Sequence, residues 1–201
     1  MHFSKTLTRA LIPATVIAVA APSAAADDAG MQMLAGHISS VQTMTANFVQ
    51  TDQRGRSAAG TMQLKRPGRV RFQYGSGDLV LVANGKTLSF VDYQVGQKSS
   101  WPLNKTPLGV LLSGSPNLKG RAQVMPSQDP RILVVRARDP AQYGSILLAF
   151  VRSPSAPGGL QLHGWTAIDA QNKKTTVRLS NVRYNVAVSD SAFMYREPKK
   201  K

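Results

Sequence analysis

Gly85-Lys86-Thr87 is the tripeptide whose residue types most directly suggest chemistry, because a Gly-Lys-Thr run closes a phosphate-binding loop. Such a loop also needs a glycine five positions earlier, and Val80 stands there. The tripeptide reads instead as a hairpin connection, since Asn84-Gly85 is the dipeptide that supplies positive φ at both centres of a tight turn. Gly75-Ser76-Gly77 is likewise a turn, with no helix N-terminus after it to hold an anion. Zinc would need ligands the chain lacks: there is no cysteine, and the three histidines are His2, His37 and His163, the last two with few acids near them. No Gly-x-Ser-x-Gly elbow occurs, so a hydrolase of that type has no nucleophile signature. A Ser/His pair assembled only in space stays open. No catalytic residue, metal or cofactor is therefore assigned.

The elements that would position any site are mostly strands. Met31, Leu34, Ile38 and Val41 recur at spacings of three, four and three, one face of an amphipathic helix. The period then changes to two. Met44, Ala46 and Phe48 alternate with polar residues; after a polar turn from Asp52 to Arg56 so do Met62 and Leu64, then Val70, Phe72 and Tyr74. Leu79 to Ala83 and Thr87 to Val91 flank the Asn84-Gly85 turn, placing Leu88 and Phe90 on one face. Further strands are expected at Arg131 to Arg138, Ser145 to Val151, Leu160 to Asp169 and Thr175 to Tyr184. Thr106-Pro107 is a cap with a first-turn proline, opening a short helix over Leu108 to Leu112 that Gly114 ends. Asp190 to Ala192 starts a last turn before Phe193. Eight or more strands with short connections make a meandering antiparallel sheet, one face covered by the apolar helices. For the inward positions Phe48, Met62, Leu64, Phe72, Tyr74, Leu88 and Phe90, composition leaves both ordinary core and ligand cavity open.

Met1 to Ala26 has the order of a secretory leader: Lys5 and Arg9, an apolar stretch from Leu11 to Ala21, then Ala24-Ala25-Ala26. That stretch falls short of the roughly 20 apolar residues a membrane span needs. Cleavage after Ala26 would leave Asp27 to Lys201, one soluble, monomeric domain outside the cytoplasm. Without cysteine it must hold by burial and backbone pairing alone. The chain carries +15; loss of Lys5 and Arg9 leaves 23 basic against 10 acidic residues, a net +13. Such a surface attracts anionic partners. Export and the scatter of the basic residues argue against nucleic acid and for membrane headgroups or acidic proteins.

Four segments in order resemble the LolA family of periplasmic lipoprotein carriers. They are Ala46-Asn47-Phe48-Val49-Gln50, Gly60-Thr61-Met62-Gln63-Leu64-Lys65-Arg66-Pro67, Asn84-Gly85-Lys86-Thr87-Leu88-Ser89-Phe90, and Thr106-Pro107-Leu108 through Leu111-Leu112-Ser113-Gly114. The resemblance implies a mainly β (α+β) fold: an incomplete, strongly curved antiparallel β-barrel of about eleven strands, capped by short helices over an apolar cavity. It implies a carrier that takes acylated lipoproteins from an inner-membrane lipoprotein-releasing ABC transporter to an outer-membrane acceptor. Leu108, Leu111 and Leu112 would turn from a lid helix toward cargo. Arg66, by its residues alone a solvated strand end stopped by Pro67, would bond to lid backbone and gate the cavity. Gln63 stands where the family often has tryptophan. The related acceptor family is anchored through an N-terminal cysteine, which this chain lacks. A carrier of another exported lipid, an exported hydrolase and a protein binding acidic polymers remain alternatives.

Overall fold

The computed structural model describes residues 24–112, 118–138, 144–169 and 171–199. The expected leader, Met1 to Ala26, lies outside them except for Ala24–Ala26, where helix α1 (Ala24–Ser40) begins. Among the described residues no helix is long and apolar enough to cross a membrane.

Among the described residues eleven strands form one antiparallel sheet. β1 (Thr43–Asp52), β2 (Ser57–Lys65), β3 (Arg69–Tyr74), β4 (Leu79–Asn84), β5 (Thr87–Asp92) and β6 (Gln97–Pro102) meander toward one edge. β7 (Ala122–Met125), β8 (Ile132–Ala137), β9 (Ser145–Arg152), β10 (Leu160–Ile168) and β11 (Lys174–Tyr184) run back from the other edge, and β11 closes onto β1. The order β6-β5-β4-β3-β2-β1-β11-β10-β9-β8-β7 leaves β6 and β7 consecutive in the chain yet at opposite edges, so the barrel is not closed. The connection between them carries helix α2 (Pro107–Leu112), which therefore bridges the open side.

The period-two reading of the first strands is borne out. Met44, Ala46, Phe48, Met62, Leu64, Val70 and Phe72 are all buried in one core cluster with Leu88, Leu103, Leu112, Val177 and Leu179. The helical reading of α1 is too: Leu34 and Ile38 are buried against Leu133, Val135, Leu148, Phe150 and Leu160, with Met31 packed at the margin. Two strands had no signal in the sequence. β6 is exposed at nearly every position, and β7 has only four residues; both are edge strands whose pairing, not apolar alternation, holds them.

One turn differs from expectation. β4 ends at Asn84 and β5 begins at Thr87, so the loop is Gly85-Lys86, with positive φ at Gly85 and not at Asn84. The Asn84 carboxamide oxygen instead accepts from the backbone N–H of Lys86 (3.1 Å) and Thr87 (3.0 Å), a side chain closing the turn that backbone was expected to close.

Among the described residues the C-terminal segment makes no further strand. After β11 it crosses the outer face of β3–β5, where Phe193, Val188, Ala192 and Tyr195 cover Val80, Val82 and Val91. Asp190 fastens it through Lys65 and Arg69 (2.7 Å), and Arg71 donates to the Met194 carbonyl (3.2 Å).

Candidate functional site

Strands β2 and β9 have β1, β11 and β10 between them in the sheet, yet Met62 and Leu64 face the same cavity as Ile146, Leu148 and Phe150. Only a strongly curled sheet brings them together. This first cavity, about 60 Å³, is completed by Leu34, His37, Ile38 and Val41 from the α1 side, Leu108 and Leu112 from α2, Leu162 and Trp165 from β10, and Arg66. A second, about 240 Å³, is lined by Phe72, Tyr74, Leu81, Leu88, Leu108, Ile146, Trp165, Ala167 and Val177. Gln50, Thr106 and Thr175 bring polar groups to it. Together they form an apolar interior under α2.

α2 is pinned at both ends. Before it, Leu103 N–H donates to the Lys86 carbonyl at 2.8 Å, and the Thr106 hydroxyl donates to the Leu103 carbonyl at 2.8 Å while accepting from Gly109 N–H at 3.2 Å. Thr106 thus caps the helix as its sequence indicates. At its end, Gly68 N–H donates to the Leu112 carbonyl at 2.7 Å, and the Leu112 side chain is buried. The β2–β3 turn that follows Lys65-Arg66-Pro67 is therefore joined to the last turn of α2 through backbone.

Arg66 is half-buried in the first cavity's lining, and its backbone N–H donates to the Gln42 carbonyl at 2.8 Å. Desolvation lowers its guanidinium to about 10, so it stays charged at neutral pH. His37 faces the same cavity. Its Nδ1 lies 2.8 Å from the Pro157 carbonyl, which can only accept, so Nδ1 carries the hydrogen. Its ring meets Phe150 and Tyr184 edge-on at 5.3 and 5.5 Å. Burial first, and then the Arg66 charge, hold it below its ordinary value, against the raising effect of the Pro157 bond.

The residues expected to line a cavity divide. Met62, Leu64, Arg66, Leu108 and Leu112 face the first cavity, and Phe72, Tyr74, Leu88 and again Leu108 the second. Phe48 lies in the core beneath them, its ring edge-on to Phe72 (5.5 Å) and Tyr74 (5.0 Å), and lines neither. Phe90 is half-buried opposite Leu81 and also lines neither. The Leu111 side chain, with Ser113 and Gly114, is outside the described residues. Gln63 points to the outer face, in a depression with Thr45, Asn47, Thr61, Asn181 and Arg183.

Sequence reasoning missed the whole β9–β10 wall and His37. Ile146, Leu148 and Phe150 alternate cleanly and were legible as a buried face. Trp165 was not. Counting by twos from Leu160 and Leu162 puts it outside, but the β9–β10 register shifts between Leu162 and Gly164, and this bulge turns Trp165 inward. Gly164 permits it: any Cβ there would meet the Val177 carbonyl oxygen at 2.1 Å.

The model of the family described as outer membrane lipoprotein carrier protein LolA matches residues 39–196. The outer-membrane lipoprotein carrier protein of Hahella chejuensis is 27% identical over 201 residues, covering 92% of each chain. That of Pseudomonas aeruginosa is 33% identical over 118 residues, 54% of this chain and 56% of its own. Among solved structures, a LolA superfamily protein of Nitrosomonas europaea matches with a TM-score of 0.45 at 12% identity, covering 84% of this chain and 98% of that one. A chain of the Pseudomonas aeruginosa MucA/MucB complex matches at 0.48 and 13%, covering 84% and 61%. With the family model matched from the end of α1 to beyond Phe193, this protein belongs to the LolA family of outer membrane lipoprotein carrier proteins.

Proposed function

We propose that the protein, cleaved after Ala26, is a non-enzymatic periplasmic carrier that buries the acyl chains of lipoproteins in its half-barrel and moves them from the inner to the outer membrane. It receives them from a lipoprotein-releasing ABC transporter and gives them to an outer-membrane acceptor or directly to an anionic membrane surface. The observation that carries this reading is the apolar interior under a short helix tied by hydrogen bonds at both ends.

The energetics require such a container. At about 0.8 kcal/mol per CH₂, an acyl chain of ~16 carbons costs roughly 12 kcal/mol to expose to water. The carrier must also release what it holds. The first cavity, about 60 Å³, is well short of the ~150 Å³ that holds one benzene ring, so a chain enters only as α2 gives way. Closure of α2 then competes with cargo, and the bonds that re-form on closure favour unloading.

Mass spectrometry of protein purified gently from periplasm tests this. Triacylated lipoproteins bound to chains that begin at Asp27 are expected. Bound phospholipid or glycolipid in their place would reassign the cargo, and protein that never carries lipid would refute the carrier.

A further inference from the structure

Leu108, Ile146 and Trp165 are the residues that line both cavities, so together they form the wall between them. Trp165 is the largest of the three, and its ring is held edge-on to Phe72 at 5.8 Å. It faces inward only because the strand bulges at Gly164, where a side chain has no room. An element built so specifically to put an indole in the middle of an apolar interior divides that interior into two unequal chambers.

Resting on the carrier reading, we propose that Trp165 is a chain-length gate: it lets the first part of an acyl chain bind in the larger chamber and must swing aside before the remainder passes into the smaller one. An apolar cavity of ~150 Å³ holds one benzene ring, so by proportion the larger chamber, about 240 Å³, takes a segment of roughly ten carbons. The smaller, about 60 Å³, takes two or three until α2 and the indole move. Chains up to about ten carbons therefore bind against a fixed wall. Longer ones gain buried methylenes but lose the Phe72 contact and displace the lid residue Leu108. The gate would thus limit the affinity that each methylene beyond about ten adds, so that long chains are held without being bound too tightly to release, which gives Trp165 a role in chain-length response and not only in packing.

Binding of single-chain fatty acids of 8 to 18 carbons to delipidated mature protein tests the gate. Wild type should gain roughly fourfold in affinity per methylene up to about ten carbons, then less than twofold, whereas Trp165→Ala should keep the steep gain to longer chains. A smooth rise through 18 carbons in wild type, or an unchanged break in Trp165→Ala, would overturn the gate. Trp101→Phe provides a second reading without touching the cavity, because Trp101 is exposed and its loss leaves Trp165 as the lone tryptophan. Indole emission should then shift further with chains of 14 carbons or more than with chains of 8, which meet only one face of the ring; equal shifts with bound long and short chains would also overturn it. Failure to bind at every length would instead overturn the carrier reading, and the gate with it.

Discussion

A guanidinium costs more to keep charged beside apolar walls than in water, and Arg66 is retained there with its value lowered only to about 10. In the proposed carrier, its position beside the turn that bonds to Leu112 would set it to compete with cargo. Arg66→Leu should raise acyl affinity by about tenfold, the scale of one charge-assisted hydrogen bond, and slow release, so that loaded protein accumulates. Arg66→Lys, which keeps charge without the planar fork, should be milder. Release assays with purified acceptor membranes measure both; equal rates for wild type and Arg66→Leu would make Arg66 a structural charge. His37 gives a pH signature. Its folded value lies below 6.5, so on acidification the unfolded chain takes up a proton first, and the stability held above pH 6.5 is lost progressively below it. Thermal melts between pH 7.5 and 5 should show a falling midpoint that flattens in His37→Gln. At this scale the sequence disclosed Arg66 through its neighbours in a motif. It hid His37 and Trp165, because a histidine's burial depends on a distant carbonyl and a tryptophan's facing on a bulge.

The strands around the meander were legible because each is half-buried and alternates, and α1 because its apolar stripe is regular. The edge strands β6 and β7 carry no such pattern, and the C-terminal segment has no periodicity at all. What organises that segment is the outer face it covers. Val80, Val82 and Val91 face away from the cavities and would be exposed without it. Phe193, 4% exposed, anchors the cover. Phe193→Ala should cost about 3–5 kcal/mol in urea unfolding, while leaving acyl binding per folded molecule unchanged, since no residue it contacts in that cluster lines either cavity. A matching loss of binding would show that the two faces of β3–β5 are coupled.

Taken whole, the molecule is a basic shell around an apolar interior. Lys174, Arg178 and Arg183 stand exposed along the outer face of β11, and the chain carries a net charge of +15. Docking on anionic vesicles should therefore weaken steeply as salt rises above 0.1 M, where exposed charges are screened beyond ~10 Å; flotation that ignores salt would mark the charge as mere solvation. The central claim concerns the interior, and β2 offers an internal control for it, because Met62 and Leu64 face the cavity while Gln63 between them faces out. A photo-crosslinking residue placed at each of these three positions in cells labelled with radioactive palmitate reports which side of the sheet meets acyl chains. Acyl occupancy of the half-barrel requires labelled lipoprotein crosslinked from positions 62 and 64 and little or none from 63. Equal or stronger labelling from position 63, with the protein folded, would place cargo on the outer face and contradict the carrier mechanism.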